Sequence, residues 1–181
     1  MWRRIEVSAR VDHPVERVFP YLADPLLWHQ LTPAVVFRRQ IGDQPPGVGT
    51  RWMATDQIGP FRFHFVDELA ELEPMSRVLW ISSAPWNAWV EYRCTPETNG
   101  TRIEATYEGD VVGLLRVLVG WLPTAVFGWI LSRDFRRLDR VLSREAQAAR
   151  RWHDRYPDEA PQLDAPERLA VVEARRPAPA E

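Results

Sequence analysis

The sequence predicts an α+β fold in which a curved antiparallel sheet of about seven strands wraps round a long C-terminal helix. Three observations lead there. Short strand-like runs separated by tight-turn signals fill the stretch from Val35 to Asp110. Two Pro-initiated helical segments follow the first strand. A long amphipathic segment after Pro123 supplies the only helix large enough to cover one face of such a sheet.

The first strand is read from Ile5, Val7, Ala9 and Val11 alternating with Arg4, Glu6, Ser8, Arg10 and Asp12. Period two with one apolar face marks a half-buried strand. His13-Pro14 closes it, since Pro14 cannot donate to a ladder but fits a helix start. Val15, Val18, Phe19 and Leu22 then recur at helical spacing. Asp24-Pro25 starts a second short helix, with Asp24 as cap and Pro25 in its first position, closed near Thr32-Pro33. Strands are expected at Val35 to Ile41, Thr50 to Gln57, Phe61 to Leu69, Arg77 to Ser82, Trp86 to Thr95 and Thr101 to Asp110. Asn99-Gly100 is the strongest hairpin signal. Short connections favour an antiparallel meander.

After Gly113 the pattern turns helical. Pro123 divides it into a short piece near Leu114 to Trp121 and a long helix from Pro123 to about Arg151. Phe135, Leu138, Leu142, Ala146 and Ala149 form the long helix's apolar stripe. From Tyr156 Pro, Ala, Glu and Asp dominate. The expected organisation is therefore a folded domain over residues 1–153 and a disordered Pro/Ala/acidic tail over 154–181.

Composition narrows the function. The chain has 181 residues, a net charge of −2 and 45% apolar residues, enough for one core and no reason to expect nucleic acid. Its 23 basic residues are all Arg, which bind carboxylates and phosphates in a bidentate manner. Cys94 is the only cysteine, so no intramolecular disulfide forms, and no His pair has metal-ligand spacing. No metal and no cofactor are expected. The start of the sequence lacks the apolar core of a signal peptide, which points to a cytoplasmic setting. The apolar run 111–131 is long enough to span a bilayer, but Arg116, Pro123 and three glycines interrupt it. A pocket-lining segment with peripheral membrane contact is the reading kept for it, because eight Arg lie between Arg133 and Arg155.

The pattern Val11-Asp12-His13-Pro14-Val15-Glu16-Arg17-Val18-Phe19, followed by Ala23-Asp24-Pro25, Trp28 and Thr32-Pro33, resembles the opening of the START-like (SRPBCC, polyketide cyclase/dehydrase and lipid transport) superfamily. Gly47-Val48-Gly49-Thr50, Gly100-Thr101-Arg102 and the helix around Asp134 to Leu142 extend the resemblance over roughly residues 4 to 150. The resemblance implies a helix-grip fold with a central cavity. It leaves activity open, because such proteins range from lipid carriers to cyclases.

A sheet gripping one helix leaves an apolar gap suited to a small molecule. The aromatic residues on inward parity are the candidate ligand-binding set: Phe63, Phe65, Trp80, Trp86, Tyr92 and Tyr107 from strands, with Leu118, Trp121 and Phe127 near the helix break. Nine Trp exceed what packing a domain of this size requires. No catalytic residue is assigned. His64 falls on the outward parity of its strand. Asp67 shares the inward parity, but the cost of an unpaired buried carboxylate favours a bulge or strand end that returns it to water. The expected function is binding or transport of a lipid-like or aromatic molecule. The alternative is a cyclase/dehydrase-type enzyme acting on a polyketide-like substrate in the same cavity. The sequence sets no oligomeric state.

Overall fold

In the computed structural model, residues 3–110, 112, 116–117 and 124–155 are described. Strand β1 (Arg3–Val11) is followed by helix α1 (Val15–Ala23), a 3-10 helix (Pro25–Leu27) and helix α2 (Trp28–Leu31). Strands β2 (Val35–Ile41), β3 (Arg51–Ile58), β4 (Phe61–Glu73), β5 (Arg77–Ser82), β6 (Ala88–Glu97) and β7 (Gly100–Gly109) come next, then the long helix α3 (Thr124–Arg155). The sheet has seven strands in the order β1-β7-β6-β5-β4-β3-β2, every pair antiparallel. Six consecutive strands meander, and β1 joins at the far edge beside β7. This is the expected helix-grip class. The chain divides into two units, 1–143 and 144–181; everything below concerns the first.

Local chemistry places the elements. The Asp24 carboxylate accepts from the Leu26 N–H at 2.9 Å, and Pro25 takes the first position of the 3-10 helix. Val15, Val18, Phe19, Tyr21 and Leu22 are the buried face of α1. They join Val11, Trp52, Leu69, Val78, Trp80, Ile103 and Ala105 from the sheet and Phe135, Leu138 and Leu142 from α3 in one core. Alternation holds in β7, where Ile103 and Ala105 are buried and Arg102 and Glu104 exposed.

The β6–β7 hairpin turns at Thr98-Asn99, because Glu97 pairs with Gly100. Asn99 takes φ +68°, the left-handed conformation Asn tolerates. Gly100 is required for another reason: a Cβ there would lie 2.6 Å from the Val11 carbonyl oxygen of the neighbouring β1. The short helix expected near Leu114 to Trp121 and the tail beyond Arg155 lie outside the described residues, apart from the helical pair Arg116-Val117. Among the described residues no helix is long and apolar enough to cross a membrane.

Candidate ligand pocket

Between the sheet, α2 and the first turns of α3 lies a pocket of about 700 Å³. Its walls are mainly apolar: Leu22, Leu31, Val90, Ile130 and Leu131, with a ring of aromatic side chains. Of the aromatic residues singled out from the sequence, Phe65, Trp86, Tyr92, Tyr107 and Phe127 line it. The Phe65 and Trp86 rings meet edge to face at 6.2 Å, and Tyr92 meets Phe135 of α3 at 6.3 Å.

Trp80 and Phe63 differ from that expectation. Both are buried but lie outside the lining. Trp80 stands edge-on to Trp28 at 5.1 Å and donates its indole N–H to the Leu22 carbonyl of α1 at 3.0 Å. Its ring is spent on holding α1 and α2 to the sheet. Trp86 lies in the turn before β6 rather than in the strand, and still faces the pocket. Leu118 and Trp121 lie outside the described residues.

The larger correction concerns Asp67. The strand carries a register shift, but between Leu69 and Glu71. Alternation therefore runs unbroken through Phe63, Phe65 and Asp67, and Asp67 faces inward at 1% exposure. It is not in water, and it is not alone. Ser82 Oγ donates to Asp67 Oδ1 at 2.6 Å, and Arg38 Nε stands 3.5 Å from Asp67 Oδ2. Burial pushes the Asp67 carboxyl up to about 6, against the pull of the Ser82 hydroxyl and the Arg38 charge, with Asp56 adding to the rise.

Arg38 is the centre of this cluster, and the sequence did not single it out. Its side chain is 4% exposed. Nη2 donates to Asp56 Oδ1 at 2.9 Å, and Nη1 donates to the Phe37 and Thr55 carbonyls. The guanidinium lies 5.5 Å from the Trp28 ring centre and 5.3 Å from that of Phe65, so aromatic faces take over from water. A β-bulge between Val35 and Phe37 makes this possible. Strict alternation puts Val35 and Arg38 on opposite faces, whereas the bulge turns both toward the pocket.

Helix α3 adds Asp134 and Arg133. The Asp134 carboxyl is raised to about 6 by burial, opposed by Arg133, Thr32 and Arg137. The Tyr92 hydroxyl is held well above the usual phenol range by burial and by the carboxylates of Asp134 and Asp67. Four buried polar atoms make no hydrogen bond among the described residues: Arg38 Nε, Asp67 Oδ2, Trp86 Nε1 and Asp134 Oδ1. All four belong to residues that line the pocket.

Elsewhere, His64 is exposed on the outer face as expected, 2.9 Å from Thr55 Oγ1. His13, Asp139 and Ser143 meet, but through a single nitrogen: His13 Nε2 is 3.1 Å from Ser143 Oγ and 3.8 Å from Asp139 Oδ1. A catalytic relay needs both ring nitrogens. Asp139 also accepts from the Asp12 N–H at 3.2 Å, so the group fastens the end of β1 to α3. No group of three or more His, Cys, Asp or Glu that could hold a metal occurs among the described residues.

Comparison with known proteins gives a consistent frame. The model of the family described as polyketide cyclase / dehydrase and lipid transport matches residues 3–154. No curated protein matches the chain. Among solved structures, a conserved protein from Geobacillus kaustophilus is 18% identical, covering 78% of this chain and 96% of its own, with a TM-score of 0.65. A protein from Nitrosomonas europaea is 16% identical over 80% of this chain and 96% of that one, with a TM-score of 0.61. The di-domain ARO/CYC StfQ from the steffimycin biosynthetic pathway is 12% identical, with a TM-score of 0.63. The match covers 81% of this chain and 52% of StfQ. Likeness at these identities establishes the fold alone.

Proposed function

The chain belongs to the polyketide cyclase / dehydrase and lipid transport family, and on that premise we propose that it binds an apolar, ring-bearing small molecule in the pocket beneath α3. One observation carries the reading: a pocket of about 700 Å³ whose apolar walls enclose a buried Arg38–Asp56–Asp67–Ser82 cluster. Volume and apolar lining are those of small-molecule sites. The cluster supplies the few placed polar groups that orient a ligand. Without that role, two carboxylates and an arginine beside a pocket are an expense the fold has no need to carry.

Native mass spectrometry of the freshly purified protein tests this directly, with a retained small molecule as the expected result. Nile red, a neutral apolar dye, is expected to occupy one saturable site, and Trp86→Ala and Tyr92→Ala to change its affinity. No saturable binding, or affinity unmoved by both substitutions in folded protein, overturns the reading.

The cyclase/dehydrase alternative is favoured by a separate feature. Asp67, raised to about 6 and hydrogen-bonded to Ser82, is suited to give and take a proton near neutral pH. A poly-carbonyl thioester incubated with the protein distinguishes the two. Cyclised or dehydrated product that disappears in Asp67→Asn, with binding retained, supports catalysis. Unchanged substrate leaves binding as the function.

A further inference from the structure

The pocket's charges are not balanced. Two arginines, Arg38 and Arg133, line it against three carboxylates, Asp56, Asp67 and Asp134. Each arginine already stands beside a carboxylate: Arg38 Nη2 lies 2.9 Å from Asp56, and Arg133 Nη2 lies 3.7 Å from Asp134. Arg38 has little left to offer. Both its terminal nitrogens are donating, its flat faces meet Trp28 and Phe65, and Nε points at Asp67 Oδ2 from 3.5 Å. Arg38 is shared between Asp56 and Asp67, so the lining carries one carboxylate more than it has arginines.

Four buried polar atoms keep unspent hydrogen-bonding capacity, two acceptors and two donors, and one donor, Arg38 Nε, faces Asp67 Oδ2 at 3.5 Å. Asp67 Oδ2 and Asp134 Oδ1 are buried acceptors without a donor among the described residues. They come from different elements, strand β4 and helix α3, and both carboxylates raise the Tyr92 hydroxyl. Trp86 Nε1 is a buried donor without an acceptor. A buried polar atom left unpaired costs its full desolvation, so these atoms describe the missing partner. That partner must donate to a carboxylate, and a hydroxyl can at the same time accept from an indole N–H.

Resting on the binding function above, we propose that the ligand's polar end is a hydroxyl or amine that donates hydrogen bonds to Asp67 and Asp134, and that the pocket rejects carboxylates and other anions. A carboxylate has no proton to give these oxygens, and it brings like charge beside carboxylates that already outnumber the arginines, which disfavours it. Free fatty acids and acidic aromatic molecules are thereby excluded. Alcohols, phenols and aromatic amines fit.

Three probes on one ring system test the assignment by calorimetric titration: 2-naphthaleneethanol, 2-(2-naphthyl)ethylamine and 2-naphthaleneacetic acid. Near pH 7.5 the alcohol and the amine are expected to bind, and the acid at least about tenfold more weakly. Asp67→Asn removes one carboxylate charge, and the acid is then expected within about threefold of the alcohol. Asp134→Asn, checked for fold by circular dichroism, provides a second variant and is expected to weaken the amine. Acid binding as tight as the alcohol's overturns the selectivity and leaves small-molecule binding standing. Acid still excluded by both folded variants overturns the role of these carboxylates. Binding of none of the three probes overturns both this proposal and the binding function.

Discussion

Arg38 answers Asp56 and Asp67 at once, from 2.9 Å and 3.5 Å, with its charge shielded from water by two rings. Removing one member of a buried ion cluster leaves the others uncompensated, which costs about 3–5 kcal/mol. Arg38→Met is therefore expected to lose stability on that scale in urea denaturation near pH 7.5. The loss should shrink toward about pH 5, where the orphaned carboxylates take up protons. Asp67→Asn moves the other way. A carboxyl raised in the folded state to about 6 binds its proton more tightly there than in the unfolded chain. Stability is thus highest below its ordinary range and falls as pH rises through about 6. Asparagine lacks this dependence. The stability of Asp67→Asn relative to the parent is expected to grow between about pH 4 and pH 6 and then level off, by about 1–3 kcal/mol. A flat difference across that window would mean that Asp67 sits in a more polar setting than its 1% exposure implies.

Strand pairing sets the limits on what the elements tolerate. Gly109 at the end of β7 pairs with both Ala88 of β6 and Arg3 of β1. A Cβ at Gly109 would lie 2.3 Å from the Ala88 Cβ and 2.7 Å from its Cα. These are positions the paired backbone cannot vacate without separating. Gly109→Ala is expected to cost about 1–3 kcal/mol by overpacking, read as a lower urea midpoint with unchanged slope. A single Ala88→Gly in the same background should recover part of it by removing the Cβ it strikes. The two β-bulges act in complementary ways. The one between Val35 and Phe37 brings Arg38 inward, and the one between Leu69 and Glu71 begins only after Asp67 has been placed on the same side. The polar cluster exists because one strand breaks alternation before its key residue and the other breaks it afterwards.

At the scale of the molecule, the concave face of the sheet is divided between two tasks. Helix α1 closes one part of it, with the Trp80 indole bonded to Leu22. Under α3 the pocket remains. A ligand that binds only the folded state raises stability by RT ln(1 + [L]/Kd), about 2.7 kcal/mol at a hundredfold excess over Kd. An alcohol or amine probe held at that excess is accordingly expected to raise the melting temperature, and Trp80→Phe, which loses the bond to Leu22 but is itself outside the lining, to lower the baseline while keeping the increment. An increment lost in a folded Trp80→Phe protein would show that the two parts of the face are coupled.

Element order was legible in local signals alone. Alternation in β1 and β7, the Asp24-Pro25 helix start, the Asn99 turn and the stripe Phe135, Leu138, Leu142 each depend on neighbours within a few positions, where steric and capping preferences act. The inward parity of Phe65, Tyr92 and Tyr107 was legible for the same reason. Which inward side chains face empty space was not. Trp80 and Tyr92 share the inner surface, yet one is covered by α1 and the other faces the pocket, a difference set by where the helices lie. Arg38 was invisible because a bulge leaves no mark in a two-residue period. Asp67 was misjudged because the cost of a buried carboxylate was weighed without its partners. Arg38 and Ser82 reach it only when strands β2 and β5 assemble into the sheet with it. Sequence period decides which face a side chain takes; only tertiary packing decides what stands opposite, and the charge and chemistry of the pocket depend on that opposition.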